Sequence, residues 1–106
     1  MDKVEKIIWT EDGIGSFEEV VQYISKDSVY YASNFAKKIW LSIERLKDFP
    51  YMGRVVPEYS NPDIRELIYQ NYRIVYTISS NVVYIVLVIH GSHKLPTILL
   101  SKEEDK

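Results

Sequence analysis

The sequence predicts an α+β domain in the order β-α-α-β-β-β, with a helical hairpin packed on one face of a twisted, mainly antiparallel sheet. Three observations lead there. Apolar residues recur at helical spacing from Phe17 to Leu46, with a single break at Lys26-Asp27-Ser28. Three runs rich in β-branched and aromatic residues, IRELIYQ, YRIVYTIS and VVYIVLVIH, follow with only short polar links between them. One stretch alone, PYMGRVVPEYSNP, carries the proline density of a true loop, and it divides the helical half from the sheet half.

Each element has a local cause. VEKIIWT, residues 4–10, reads as a short first strand ending in the turn material Glu11-Asp12-Gly13. Ser16 and Glu19 have capping-box spacing, and Phe17, Val20, Val21 and Ile24 then share one helical face. Asp27 or Ser28 caps a second helix, whose stripe is Ala32, Phe35, Ala36, Ile39, Ile43 and Leu46. It ends near Asp48, because Phe49 precedes proline and is pushed toward extended geometry. The break between the helices is short, so they run antiparallel. Gln70-Asn71 and residues 79–81 are the sheet turns, with asparagine able to take positive φ, and links so short make the last three strands antiparallel. The last of them is apolar on both faces and is expected to lie inside the sheet.

Composition bounds the function. The 106 residues suit one domain, with residues 96–106 as a C-terminal tail. There is no cysteine, which excludes disulfides and thiolate metal sites and fits a reducing, cytoplasmic setting. The first twelve residues are charged throughout, so no signal peptide is expected, and the longest apolar run, residues 82–89, is far short of a membrane span. Net charge is −2, which argues against a generally adhesive nucleic-acid binder. The charge is uneven, however. Residues 1–63 hold 8 Lys and Arg against 11 Asp and Glu, whereas residues 64–94 hold Arg65, Arg73 and Lys94 against Glu66 alone.

Arg65 and Arg73 stand inside an otherwise apolar hairpin, and their faces depend on the turn. A two-residue turn at Gln70-Asn71 pairs Arg65 with Tyr76 and Arg73 with Ile68, placing the arginines on opposite faces; a three-residue loop puts them on one face. Either arginine can serve a site, or pair with Glu66 or Glu58 as a strand arginine. Tyr69, Tyr72 and Tyr76 interleave with them, a pattern that can stack bases and hold phosphates or furnish a protein interface. Arg54 offers a third positive charge or a solvated turn residue. His90-Gly91-Ser92-His93 lacks a third metal ligand and the strand–turn–helix elbow of a serine nucleophile, so no metal or cofactor is expected. His93 and Lys94 lie just past the end of the inner strand, where a histidine can act as a general acid or base, or simply sit in a solvated turn.

The order IIWT, then LKDFPYMGRVVPE, IRELIYQNYRIVYTI and VYIVLVIHGSHKL, resembles the RelE/ParE superfamily of toxins from bacterial toxin–antitoxin modules, over about residues 7–95. The resemblance implies a RelE/ParE-like fold, an antitoxin protein as partner, and one of two activities. RelE-like members cleave messenger RNA in the ribosome, and Arg73 matches the arginine that contacts the scissile phosphate there. His93 and Arg65 are then the other candidate catalytic residues, with Arg54, Lys94 and Tyr72 holding phosphate or a partner. ParE-like members inhibit DNA gyrase by binding. Glu66 stands where RelE-like members carry lysine, no tyrosine follows Tyr84 to match their terminal catalytic tyrosine, and His93 replaces the arginine common after HGS. With the acidity, the long hairpin and the IHGS ending, these departures point toward gyrase rather than ribosome-bound messenger RNA. A non-toxic relative that only binds a partner is the third possibility. The open face of the sheet, and the segment around Lys94 to Leu100, are where a partner is expected to dock, with Ile98 to Leu100 as an apolar contact or simply part of the core.

Overall fold

The computed structural model describes residues 4–96. Of the expected tail, residues 97–106, and with them the Ile98–Leu100 contact, lie outside the described residues. The chain runs β1 (Lys6–Trp9), α1 (Glu11–Ser25), α2 (Val29–Glu44), a 3-10 turn (Arg45–Lys47), β2 (Arg54–Val55), β3 (Ile64–Tyr69), β4 (Tyr72–Ser79) and β5 (Val82–His90). Sheet order is β1-β5-β4-β3-β2, antiparallel except where β1 lies parallel to β5. The predicted architecture is therefore present, and β5 is interior, flanked by β1 and β4. One strand is additional: Arg54 and Val55, read from sequence as loop, pair with Glu66 and Arg65 at the sheet's far edge.

Helix α1 starts five residues before the expected Ser16. Thr10 is its N-cap, and its hydroxyl does two jobs, accepting from Gly13 N–H at 3.0 Å and donating to the Ile85 carbonyl at 3.0 Å. The second contact ties the helix start to β5, a tertiary gain that a local capping pattern does not reveal. Ser16 works across elements instead. Strand β1 follows β5 only as far as Trp9 opposite Ile85, and beyond that point the Ser16 hydroxyl accepts the Val88 N–H at 2.9 Å. An extra residue, Val86, interrupts the β4–β5 ladder between Val75 and Tyr76, a bulge that bends β5 where α1 crosses it. Helix α2 is capped by Ser28, as expected, and buries Ala32, Phe35, Ile39 and Ile43.

The sheet is apolar on both faces. Under the helices lie Ile74, Tyr76, Val83, Ile85 and Val88, packed with Phe35, Ile39, Ile43 and Leu46. The opposite face carries Ile64, Val75 and Val86, covered by Val56 and Tyr59 of the 56–62 segment and by Leu95. That face was expected to be open; most of it is roofed by this strap. Trp9 stacks on Trp40 at 5.7 Å, the packing role expected for both, although Trp40 remains half-exposed.

Candidate functional site

Turn geometry decides what the two hairpin arginines can reach. Gln70-Asn71 makes a two-residue link, with Gln70 rather than Asn71 at positive φ (53°), so Tyr69 pairs with Tyr72 and Arg73 with Ile68. Arg65 and Arg73 consequently sit on opposite faces and share no site.

Arg65 is knotted into the 50–62 segment. Its Nε donates to Pro62 O at 2.8 Å, its Nη1 donates to Tyr51 O and Gly53 O at 3.2 and 3.0 Å, and its guanidinium lies 4.8 Å from the Tyr51 ring centre. Under this register it is a strand arginine that organises a loop. Below it Tyr76, fully buried, donates to Pro50 O and accepts the Gly53 N–H. Burial, more than any charge, pushes the Tyr76 phenol up from its ordinary pKa.

Arg73 points to the strap-covered face, and carboxylates occupy it. Its Nε meets Glu66 Oε1 at 2.6 Å, and its Nη2 lies 3.2 Å from Glu66 Oε2. Glu58 accepts one donor from each Nη in a bidentate fork at 2.8 and 2.9 Å. Glu66, whose side chain is fully buried, also receives Arg54 Nε at 2.6 Å. The result is a chain of alternating charge, Arg54–Glu66–Arg73–Glu58, crossing from edge strand to strap. Both hydrogen bonding and charge favour the ionised forms. The Arg73 fork holds the Glu58 carboxyl at about 2, and the two glutamates raise Arg73 further above its ordinary value. The sequence offered Glu66 and Glu58 as partners; what it could not supply was that one guanidinium takes both.

The histidines stand at the mouth of a groove of about 680 Å³, between α1 and the part of β5 that β1 leaves uncovered. Val20 and Tyr23 form the helix wall, Leu87, Val88 and Ile89 the strand wall, and Tyr72, His90, Ser92 and His93 one end. An aromatic series climbs from core to surface. Phe35 meets Tyr72 at 5.1 Å, Tyr72 meets His90 at 5.2 Å, and His90 meets His93 at 6.0 Å. Burial raises the Tyr72 phenol, which keeps it protonated. His90 Nδ1 lies 3.1 Å from the Ser92 backbone nitrogen and 2.8 Å from Ser92 Oγ, which fixes the ring over the turn. His90 was passed over as a site residue in favour of His93, yet His90 is the one that packs on Tyr72. His93 and Lys94 are exposed. A second, smaller hollow of about 290 Å³ lies on the other side of His90, with Arg54, Tyr72 and Arg73 in its lining. Among the described residues, no three His, Asp or Glu side chains gather as a metal site, and no helix is long and apolar enough to cross a membrane.

Chemically, the groove presents aromatic surface, two imidazoles and a hydroxyl, while the nearby arginines are already neutralised. No curated protein sequence matches the chain. A family model described as the ParE toxin of the type II toxin–antitoxin system, parDE, matches residues 7–95. That match runs from Ile7, within β1, to Leu95, past the end of β5, and the chain belongs to the ParE toxin family of type II toxin–antitoxin systems.

Proposed function

We propose that this toxin arrests growth by binding and inhibiting DNA gyrase, without cleaving RNA. The observation that carries the reading is the state of Arg73. Transesterification through a ribose 2′-hydroxyl requires cationic donors free to meet charge developing on the phosphorus oxygens. Arg73 has 10% of its side chain exposed and spends four of its five N–H donors on Glu66 and Glu58. Arg65 faces away and is bound to backbone carbonyls. His93 and Lys94 remain as exposed polar groups at the turn, suited to contacting a partner. Membership of a toxin–antitoxin family gives the chain an antitoxin protein as its partner.

The alternative, a ribosome-dependent endoribonuclease, draws support from the Tyr72–His90–His93 series, which offers stacking surface beside imidazoles able to transfer protons. Controlled expression in growing bacteria, with pulse labelling of DNA and protein synthesis, separates the two. Gyrase inhibition stops DNA synthesis first, and His93→Ala remains toxic. Early loss of protein synthesis, abolished by His90→Ala and His93→Ala in a chain that still folds, would establish the ribonuclease. Absence of any growth effect, with a tight antitoxin complex retained, would mark a non-toxic binding relative.

A further inference from the structure

The 56–62 strap contains two adjacent residues with unrelated partners. Glu58 reaches inward along the sheet and closes a fork on Arg73. Tyr59 reaches the other way: its hydroxyl donates to the Pro96 carbonyl, and its ring packs on the cluster that contains Leu95. A tight turn holds both in place, since Tyr59 N–H and Ser60 N–H each donate to Val56 O, and Ser60 takes a left-handed φ of 49°. The segment leaving the sheet therefore lies against a strap whose ends are anchored, Val56 by its buried side chain and its N–H on Ile64 O and Pro62 by its carbonyl on Arg65 Nε, while its middle is held by the Tyr59 ring and one ion pair. Glu58 is the releasable end of that pair, with 48% of its side chain exposed against none for Glu66.

We infer that Glu58 and Tyr59 form a clasp, through which the ion pair at Arg73 controls whether the segment 94–96 stays seated on the sheet. Opening the fork loosens the outer part of the turn, Val56 staying anchored, and with it the Tyr59 hydroxyl, so Leu95 leaves the apolar face that it covers. Coupling through a short rigid turn makes the two contacts act in series. Losing either one then has the consequence of losing both, which is non-additivity between neighbours sharing one element. Any group that competes for Arg73 thereby also uncovers Val75 and Val86. This device is independent of which cellular target the toxin attacks.

Limited trypsin digestion of the full chain tests it. Lys94 is exposed but followed by Leu95, which is 7% exposed, whereas Lys47 lies on the 3-10 turn remote from the strap and reports general unfolding. Glu58→Gln is expected to speed cleavage after Lys94 about fivefold, as for local opening made easier by one partly buried contact. Cleavage after Lys47 stays at its original rate. Tyr59→Phe gives a similar rise, and the double variant gives no more than the larger single effect. An unchanged Lys94 rate in Glu58→Gln, a parallel rise at Lys47, or fully additive effects in the double variant would each overturn the clasp. Should Glu58→Gln fail to fold, Glu58→Asp, which keeps the charge but shortens the reach, is read in the same way.

Discussion

Glu66 is the residue whose loss the fold tolerates least among the charged groups. It lies fully buried between two guanidinium groups, and no buried side-chain polar atom among the described residues lacks a partner. Removing one member of such a pair leaves the other desolvated. Glu66→Ala should cost about 3–5 kcal/mol, measured as a urea midpoint, whereas Glu66→Leu combined with Arg73→Met should recover most of that loss, because apolar groups fill the buried space and the two charges left without partners, Arg54 and Glu58, are half exposed to water. Glu58 behaves differently, because it is half exposed and its contribution depends on pH. Its carboxyl is held down from the ordinary 4.5 to about 2 by the Arg73 hydrogen bonds. A depressed carboxyl stabilises the fold above its unfolded value and loses that contribution as the pH falls through its folded value. Unfolding free energy followed from pH 5 to pH 2 should therefore fall more steeply in the native chain than in Glu58→Gln, and the two curves should draw together at the acid end.

At the scale of elements, two glycines in one helix make opposite forecasts. A Cβ at Gly13 would lie 2.0 Å from the Ile85 carbonyl oxygen, backbone that cannot move aside without breaking the strand. Gly13→Ala should push the start of α1 off β5 and destabilise by about 1–3 kcal/mol. Gly15, two residues on, has nothing within 4 Å of the same atom. Gly15→Ala should stabilise by about 0.5–1 kcal/mol, since alanine is the better helix former and meets no obstacle. Thermal melts of the two variants check both signs. The same neighbourhood explains why the helix start was misread. Ser16 and Glu19 satisfy the local rule for a cap, but the choice of Thr10 depends on the Ile85 carbonyl, 75 positions away in sequence. The periodic stripes of both helices and the β-branched and aromatic runs of β3 and β4 were legible because burial imposes them directly. The pairing of Arg54 with Glu66 in β2 was not, since two residues between prolines carry no period.

Across the whole molecule, the element order read from sequence was right but for β2, and β5 was rightly placed inside the sheet, but which face each hairpin arginine takes could not be decided. That choice rests on one turn: both registers are compatible with Gln70-Asn71, and only the backbone shows Gln70 accepting the positive φ. The site suffered the same ambiguity. His90 and His93 are three positions apart, and nothing local says that His90 packs on Tyr72 while His93 faces solvent. Nor does sequence show the strap. A sheet with two apolar faces needs two roofs, and the second is a short irregular segment whose hold depends on Val56, Tyr59 and the Glu58 fork.

The alternating row Arg54, Glu66, Arg73, Glu58 has a consequence at long range. Two positive and two negative charges closely spaced in line cancel beyond about one Debye length, roughly 8 Å at physiological ionic strength, so an approaching polyanion feels almost no field from this part of the sheet. Of the basic residues that 64–94 show on paper, Arg73 is thus matched internally once Glu58 folds over, whereas Arg65 and Lys94 keep their charge uncompensated by this row. Each phosphate that a protein neutralises on duplex DNA contributes about 0.9 to the logarithmic salt slope of binding. Arginines already matched by their own glutamates displace no counterions and contribute nothing to it. A titration of duplex DNA or RNA against this toxin at rising salt should show a slope no larger than its other exposed cations supply, and Glu58→Gln should steepen it by uncovering one charge.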